Sequence, residues 1–346
     1  MDLPHYAEAA TITLSDVADL AALERRWRAF EPHSNASFFQ TADWTFCRAA
    51  DRFPDPVLLE ATQDGRTLAL ALFNRRSRRL HLGESGDPGW DSVFIEHNGV
   101  LLARDAPPDL LTACLRTLRG RATVLAGVDA THLEAAREAG ALPRITAERP
   151  SPAIDLTTPF LPGLSANSRQ QLRRSARGYD EGGALTLTRA RTLPQARRYL
   201  DALASLHQAT WTERGKPGAF AGEAFRQFHH ELLARAFPAG RIDLLHITTG
   251  KRTLGYLYNF RHDGRVLAYQ SGFDYALSPD PKCKPGLTCH HLAIERAQQD
   301  GQRAYDFLAG DGRYKLSLSN ASTALFWLEF PRARSAGWML ARLRGG

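Results

Sequence analysis

The stretch Tyr305 to Lys315, YDFLAGDGRYK, gathers two carboxylates, a phenol and an amine around a Gly-Asp-Gly turn. Group transfer needs such a set, because an attacking amine or hydroxyl must lose a proton and a leaving group gains from a proton donor or a nearby cation. Asp306 and Asp311 are the candidate proton acceptors, and Tyr314 and Lys315 the candidates for the leaving group. If Ala304 to Leu308 is a strand, Asp306 faces one side and Tyr305 and Phe307 the other. Gly310 and Gly312 then let the turn bring Asp311, Tyr314 and Lys315 back to the strand end. The plainer reading is a turn aspartate, a strand-end carboxylate and a surface lysine.

Further candidates lie upstream. In PDPKCKPGL, Lys282 and Lys284 supply cations, Gly286 allows close backbone approach, and the amides opening the next helix favour a pyrophosphate. Cys283, Cys289, His290 and His291 invite a metal reading. Adjacent helical residues point about 100° apart, however, so the two histidines do not converge on one ion, and no metal is expected. A helix from about Ser165 to Tyr179 places Arg169, Arg173 and Arg177 in one stripe. Such a stripe holds an anionic acceptor or tRNA phosphates, or is a solvated face. In ASLHQATWTERGKPGAF, Trp211 and Phe220 suit the walls of an acceptor pocket and Arg214 an anionic group. The alternative is a core aromatic and a helix ended by Gly215. His207 is a candidate base or a structural histidine. No Gly-x-Ser-x-Gly elbow, P-loop or dinucleotide fingerprint occurs, which disfavours hydrolase, kinase and Rossmann readings.

The elements that must position these residues alternate between helical and strand periods. Ser15 is read as the cap of a helix carrying Val17, Leu20, Leu23 and Trp27, and a second helix includes Trp44 and Phe46. Extended runs follow at VLLEA, TLALALF and SVFIEH, then a helix near Leu110 to Leu118, the strand TVLAG and a helix from about Asp129. The proline-containing stretch Arg149 to Gly163 reads as a connection. Beyond it the same order recurs in outline, ending in strands IDLLHIT, LGYLYNFR and VLAYQSGF, a helix near Leu287 to Gln299 and the strand AYDFLA. The expected class is α/β (α+β), with mixed sheets flanked by helices.

A chain of 346 residues is long for one core, so two domains are expected, 1–150 and 151–346. Residues 1–150 hold 17 Lys+Arg against 21 Asp+Glu, whereas the remainder holds 27 against 16 and all five lysines. The basic second domain suits a polyanionic partner such as a phosphorylated cofactor, nucleic acid or a membrane surface. Four scattered cysteines make no disulfide framework. The N-terminus lacks the features of a secretory signal and no run is long enough to span a membrane, so a soluble cytoplasmic protein is expected.

The segments SFFQTADW, HQATWTERGKPGAF, LAYQSGFDYAL, KPGL and YDFLAGDGRYK together resemble the CelD/BcsL-like (BioF2-like) branch of the GNAT acyltransferases. That branch is related to the Fem aminoacyl transferases, whose chains contain two GNAT-like halves. The resemblance implies tandem GNAT-like domains, with the acyl-donor site in the second. It also implies acyl-CoA, in the first place acetyl-CoA, as donor and an amine or hydroxyl of a small molecule or saccharide precursor as acceptor. It adds Leu287 to the donor residues and Gln270 to those at the acceptor. The glycine-rich acetyl-CoA loop of standard GNAT enzymes is missing, which keeps open an aminoacyl-tRNA donor or a non-catalytic binding protein on the same fold.

Overall fold

The structure, a computed structural model, describes residues 10–333 apart from Pro279 and Asp311, together with Ser335 and Met339. Residues up to Glu148 and those from Ala324 form one compact unit; Arg149–Thr323 form a second.

The first unit runs β1 (Thr11–Asp16), α1 (Leu20–Phe30), α2 (Ala42–Arg52), β2 (Pro56–Gln63), β3 (Arg66–Arg76), β4 (Arg79–Leu82), β5 (Leu101–Leu102), α3 (Leu110–Arg116), β6 (Thr123–Val128), α4 (Ala130–Glu138) and the start of β7 (Arg144–Asp155). Ser15 caps no helix. Residues 11–16 pair with β2, and Asp19 takes the capping role by accepting from the Ala22 amide. Leu23, Trp27 and Phe30 then fall on the buried face of α1. Strands β1 to β4 pair antiparallel in sequence order, and β4 pairs in parallel with β6.

The second unit begins within β7 and continues through α5 (Phe160–Gly163), α6 (Ala166–Asp180), β8 (Leu185–Arg189), α7 (Leu193–Glu213), α8 (Glu223–Ala236), β9 (Ile242–Thr249), β10 (Arg252–His262), β11 (Arg265–Phe273), α9 (Pro285–Gln299), β12 (Ala304–Asp306) and α10 (Arg313–Leu318). Strands β8 to β11 pair antiparallel in order, β11 pairs in parallel with β12, and β12 antiparallel with β7. The last strand, β13 (Ala321–Phe330), pairs antiparallel with β6 through Phe326, Leu328, Glu329 and Phe330. The two sheets therefore share one plan of four antiparallel strands, a parallel neighbour and an antiparallel sixth.

That plan corrects two expectations. The stretch from Ala324 groups with the first unit, because β13 supplies the sixth strand of that sheet. The supposed connection from Arg149 is a strand up to Asp155. Its prolines have no amide to donate, but the carbonyls of Pro150 and Pro152 accept from Gly310 (3.0 Å) and Phe307 (2.9 Å).

Both faces of the second sheet are covered. Alternation along β9 and β10 turns Leu245, Ile247 and Leu257 into the core that holds Leu172 of α6 and Ile294 of α9. His246, Tyr256 and Tyr258 face the other way, where Tyr199 of α7 and His229 of α8 meet them.

Candidate functional site

The parallel pair β11·β12 is short, with only Arg265, Val266 and Leu267 meeting Ala304, Tyr305 and Asp306. Strand β11 runs on to Phe273, whereas the chain beyond Asp306 stays bonded to β7. Backbone pairing between the two strands ends at Leu267 and Asp306, which leaves room for a cleft between them. Helix α9, which joins these strands, starts beside the end of β11, and a Cβ on Gly286 would come within 2.9 Å of the Phe273 ring. A register shift between Tyr258 and Asn259, opposite Gln270 and Ala268, places a bulge on the same reach of β11.

The end of β12 is made by side chains remote in sequence. Leu308 has φ +60°, a left-handed conformation that costs a branched residue energy. The Asp306 carboxylate holds this kink by accepting from the Leu308 amide at 2.8 Å. It also accepts from Ser151 Oγ at 2.9 Å and Arg265 Nη2 at 2.8 Å, and its side chain is 1% exposed. Lys315 Nζ donates to the carbonyls of Phe307, Leu308 and Ala309 at 2.8, 3.2 and 3.0 Å. Read from sequence as a proton acceptor and a cation for the leaving group, Asp306 and Lys315 are occupied instead in bracing the strand end. Asp311 lies outside the described residues.

Tyr314 is placed differently. It is 41% exposed, its ring stacks on His290 (centroids 5.5 Å apart, 23° between planes) and it meets Phe307 edge-on. Burial and the nearby Tyr275 push its phenol up to about 12, so the group keeps its proton at neutral pH. His290 is buried, and its Nδ1 lies 2.9 Å from the Tyr305 hydroxyl. Burial and the positive Lys315 push the imidazole down to about 3, so it is neutral in the physiological range and a poor base.

An aromatic file links this corner to the acceptor candidates. Phe273 approaches His290 on one side and Tyr275 on the other, at 6.1 and 6.3 Å. The Arg214 guanidinium lies over both Tyr275 (5.8 Å) and Trp211 (5.6 Å), with Lys216 also over Trp211. Trp211, Arg214 and Tyr314 are thus connected through Tyr275. Gln270 is half-buried beside the bulge.

Phe220 is not a pocket wall: it is 1% exposed and packs edge-on against Phe225 and His207. His207 has both nitrogens engaged, with Ser271 O at 3.0 Å and the Ala219 amide at 3.3 Å, and burial lowers its pKa. The arginine stripe divides. Arg169 Nη1 donates to the carbonyls of Pro162 and Leu164, capping the turn before α6, whereas Arg173 is exposed with no partner among the described residues. Lys282 and Lys284 are exposed at the start of α9, and Leu287 in its first turn packs against the core. His290 and His291 diverge to Tyr305 and Glu295, and among the described residues no three metal-ligating side chains converge.

Sequence reasoning missed Phe273, Tyr275 and Phe307 as site residues and weighed His290 only as a metal ligand. Their signal was the aromatic spacing in FDY and YDF.

The matching opening in the first unit is closed. After Leu82, β4 yields to residues that include SVFIEH, which form a loop instead of the expected strand. Asn98 Nδ2 donates to Leu82 O of β4 (3.0 Å) and Ala126 O of β6 (3.1 Å), and its amide donates to Gly127 O. Gly127 is needed there, since a Cβ would lie 2.5 Å from Ile95 O.

Residues 166–316, which contain the cleft, match the family model described as an acetyltransferase (GNAT) domain. No curated protein matches the chain. Among solved structures, FemX superposes with a TM-score of 0.60 at 10% identity, covering 96% of this chain and 100% of that one. L-PGS from Bacillus licheniformis superposes at 0.56 and 12% identity, with 96% and 99% covered. The C-terminal domain of a putative lysylphosphatidylglycerol synthetase from Agrobacterium fabrum does so at 0.56 and 11%, with 93% and 96% covered. These likenesses extend the fold over both units. Residues 166–316 thus match a GNAT-type acetyltransferase domain, and that match supports an acyltransferase activity for this part of the chain.

Proposed function

We propose that the second unit moves an acyl group, acetyl in the first place, from acyl-CoA to an amine or hydroxyl of a small molecule or saccharide precursor. The observation that carries this reading is the cleft between β11 and β12, with a protonated phenol at its inner corner and the start of α9 beside it. Lys282, Lys284 and the amides of Gly286 and Leu287 in the first turn of that helix suit the donor's pyrophosphate. The acceptor attacks the thioester carbonyl and the carbon–sulfur bond breaks. Tyr314 gives its proton to the departing thiolate, and the acceptor's proton passes to a base, for which Asp311 is the candidate. Asp306 and Lys315 position the strand end. Arg173, Trp211, Arg214 and Gln270 are the proposed acceptor contacts, with Arg169 and Phe220 behind them. The saccharide or cell-envelope acceptor rests on the CelD/BcsL resemblance alone.

A second reading, transfer from an aminoacyl-tRNA, is favoured by the likeness to FemX and by the exposed Arg173 on a basic helix. Calorimetric titration of the full chain with acetyl-CoA, longer acyl-CoAs and a charged tRNA separates the two. The expected result is saturable acyl-CoA binding that weakens with salt. A tight, acceptor-stem-dependent tRNA complex with no acyl-CoA binding would replace the first reading by the second.

A further inference from the structure

At the β3–β4 hairpin of the first unit the chain reads Arg75-Arg76-Ser77-Arg78-Arg79, and this end of the sheet is concave. A groove of about 360 Å³ is lined there by Leu14, Leu80, Ala122 and the arginines 75, 78, 79, 121 and 332. It sits where β4 and β6 begin, at the opposite end from the opening that Asn98 closes. Two of the five guanidinia are neutralised: Arg75 by Asp16 and Asp55, and Arg79 by Glu329. Arg78, Arg121 and Arg332 are exposed and have no carboxylate or other side-chain partner among the described residues.

Three unneutralised charges on one concavity repel one another in the absence of a ligand. Backbone conformation adds to the oddity. Ser77 and Arg78 form the two-residue loop, with φ of +51° and +62°, where glycine or asparagine is favoured. An arginine held in that conformation at a groove rim is a strained placement of the kind found at binding sites.

We infer that this groove binds the diphosphate group of a small organic ligand. Each guanidinium presents a planar fork that matches a phosphoryl group in bidentate fashion. Three such forks offset the roughly three negative charges of an organic diphosphate, more than one phosphate monoester needs. The apolar side chains of Leu14 and Leu80 leave room for the ligand's uncharged part. A long polyanion is disfavoured, because the first unit, residues 1–148 and 324–346, holds 20 Lys+Arg against 22 Asp+Glu and so has no net positive charge to hold it outside the groove.

The test uses the full chain carrying Lys282→Ala and Lys284→Ala, so that binding at the start of α9 does not mask the groove, with inorganic pyrophosphate as calorimetric probe. One saturable site is expected. Adding Arg78→Gly and Arg121→Ala should weaken it at least tenfold, with no loss of melting temperature, since glycine suits the left-handed position. The inference is overturned if pyrophosphate does not saturate, or if its affinity is the same after the arginine substitutions. It is equally overturned if the groove arginines matter only for binding to RNA or to phosphatidylglycerol vesicles while pyrophosphate fails to bind.

Discussion

Replacing Tyr314 by Phe is expected to lower turnover by about a hundredfold or more while leaving donor affinity and melting temperature nearly unchanged. The phenol is protonated at neutral pH as any tyrosine is, and burial and Tyr275, which push it up to about 12, keep it so further into the alkaline range. Its ring contacts with His290 and Phe307 do not involve the hydroxyl oxygen and would survive in Phe. Loss of that oxygen therefore removes proton donation with little change in packing. The comparison is the rate at saturating acetyl-CoA together with thermal unfolding of both proteins. Wild-type turnover in the variant would reduce Tyr314 to a packing residue, and a large drop in melting temperature would point to a structural bond.

The second large effect concerns Asp306. Asp306→Ala should cost about 2 to 4 kcal/mol of stability, because Ser151 and the Leu308 amide lose a buried acceptor and Arg265 its ion pair. The Arg265 side chain is 44% exposed and turns to solvent, which keeps the figure below that of a fully buried pair. Donor affinity should fall with it, as the kink at Leu308 relaxes and the cleft loses its edge. Denaturant unfolding and acetyl-CoA titration read the two consequences separately. A variant with native stability and native donor affinity but no turnover would make Asp306 a chemical group and not a brace.

The same residues show what the sequence could and could not reveal. Helices α6 and α9 and strands β9 to β11 were legible within a few residues, since their apolar periods are local properties of the chain. The motif around Asp306 was legible as important but not in its roles. Its carboxylate is held by Ser151, 155 positions away, and by Arg265, 41 positions away, pairings that only the closed sheet creates. Leu308 carries no turn signal, and its left-handed backbone is imposed by Asp306, so β12 ends earlier than its apolar run suggests. SVFIEH has strand composition, yet it becomes a loop because Asn98 joins β4 to β6 at that level. The sixth strand of the first sheet comes from Ala324 onward, and no local pattern announces that pairing.

On the proposed function the cleft of the second unit, and not the plugged opening of the first, receives the acyl donor. Calorimetric titration of the full chain with acetyl-CoA, set against the Lys282→Ala and Lys284→Ala double variant, tests it most directly. One donor should bind per chain, and the double variant should bind it about 1 to 3 kcal/mol more weakly, through the loss of charge-assisted phosphate contacts. Two equivalent donors per chain, or an affinity that ignores both lysines, would contradict the account.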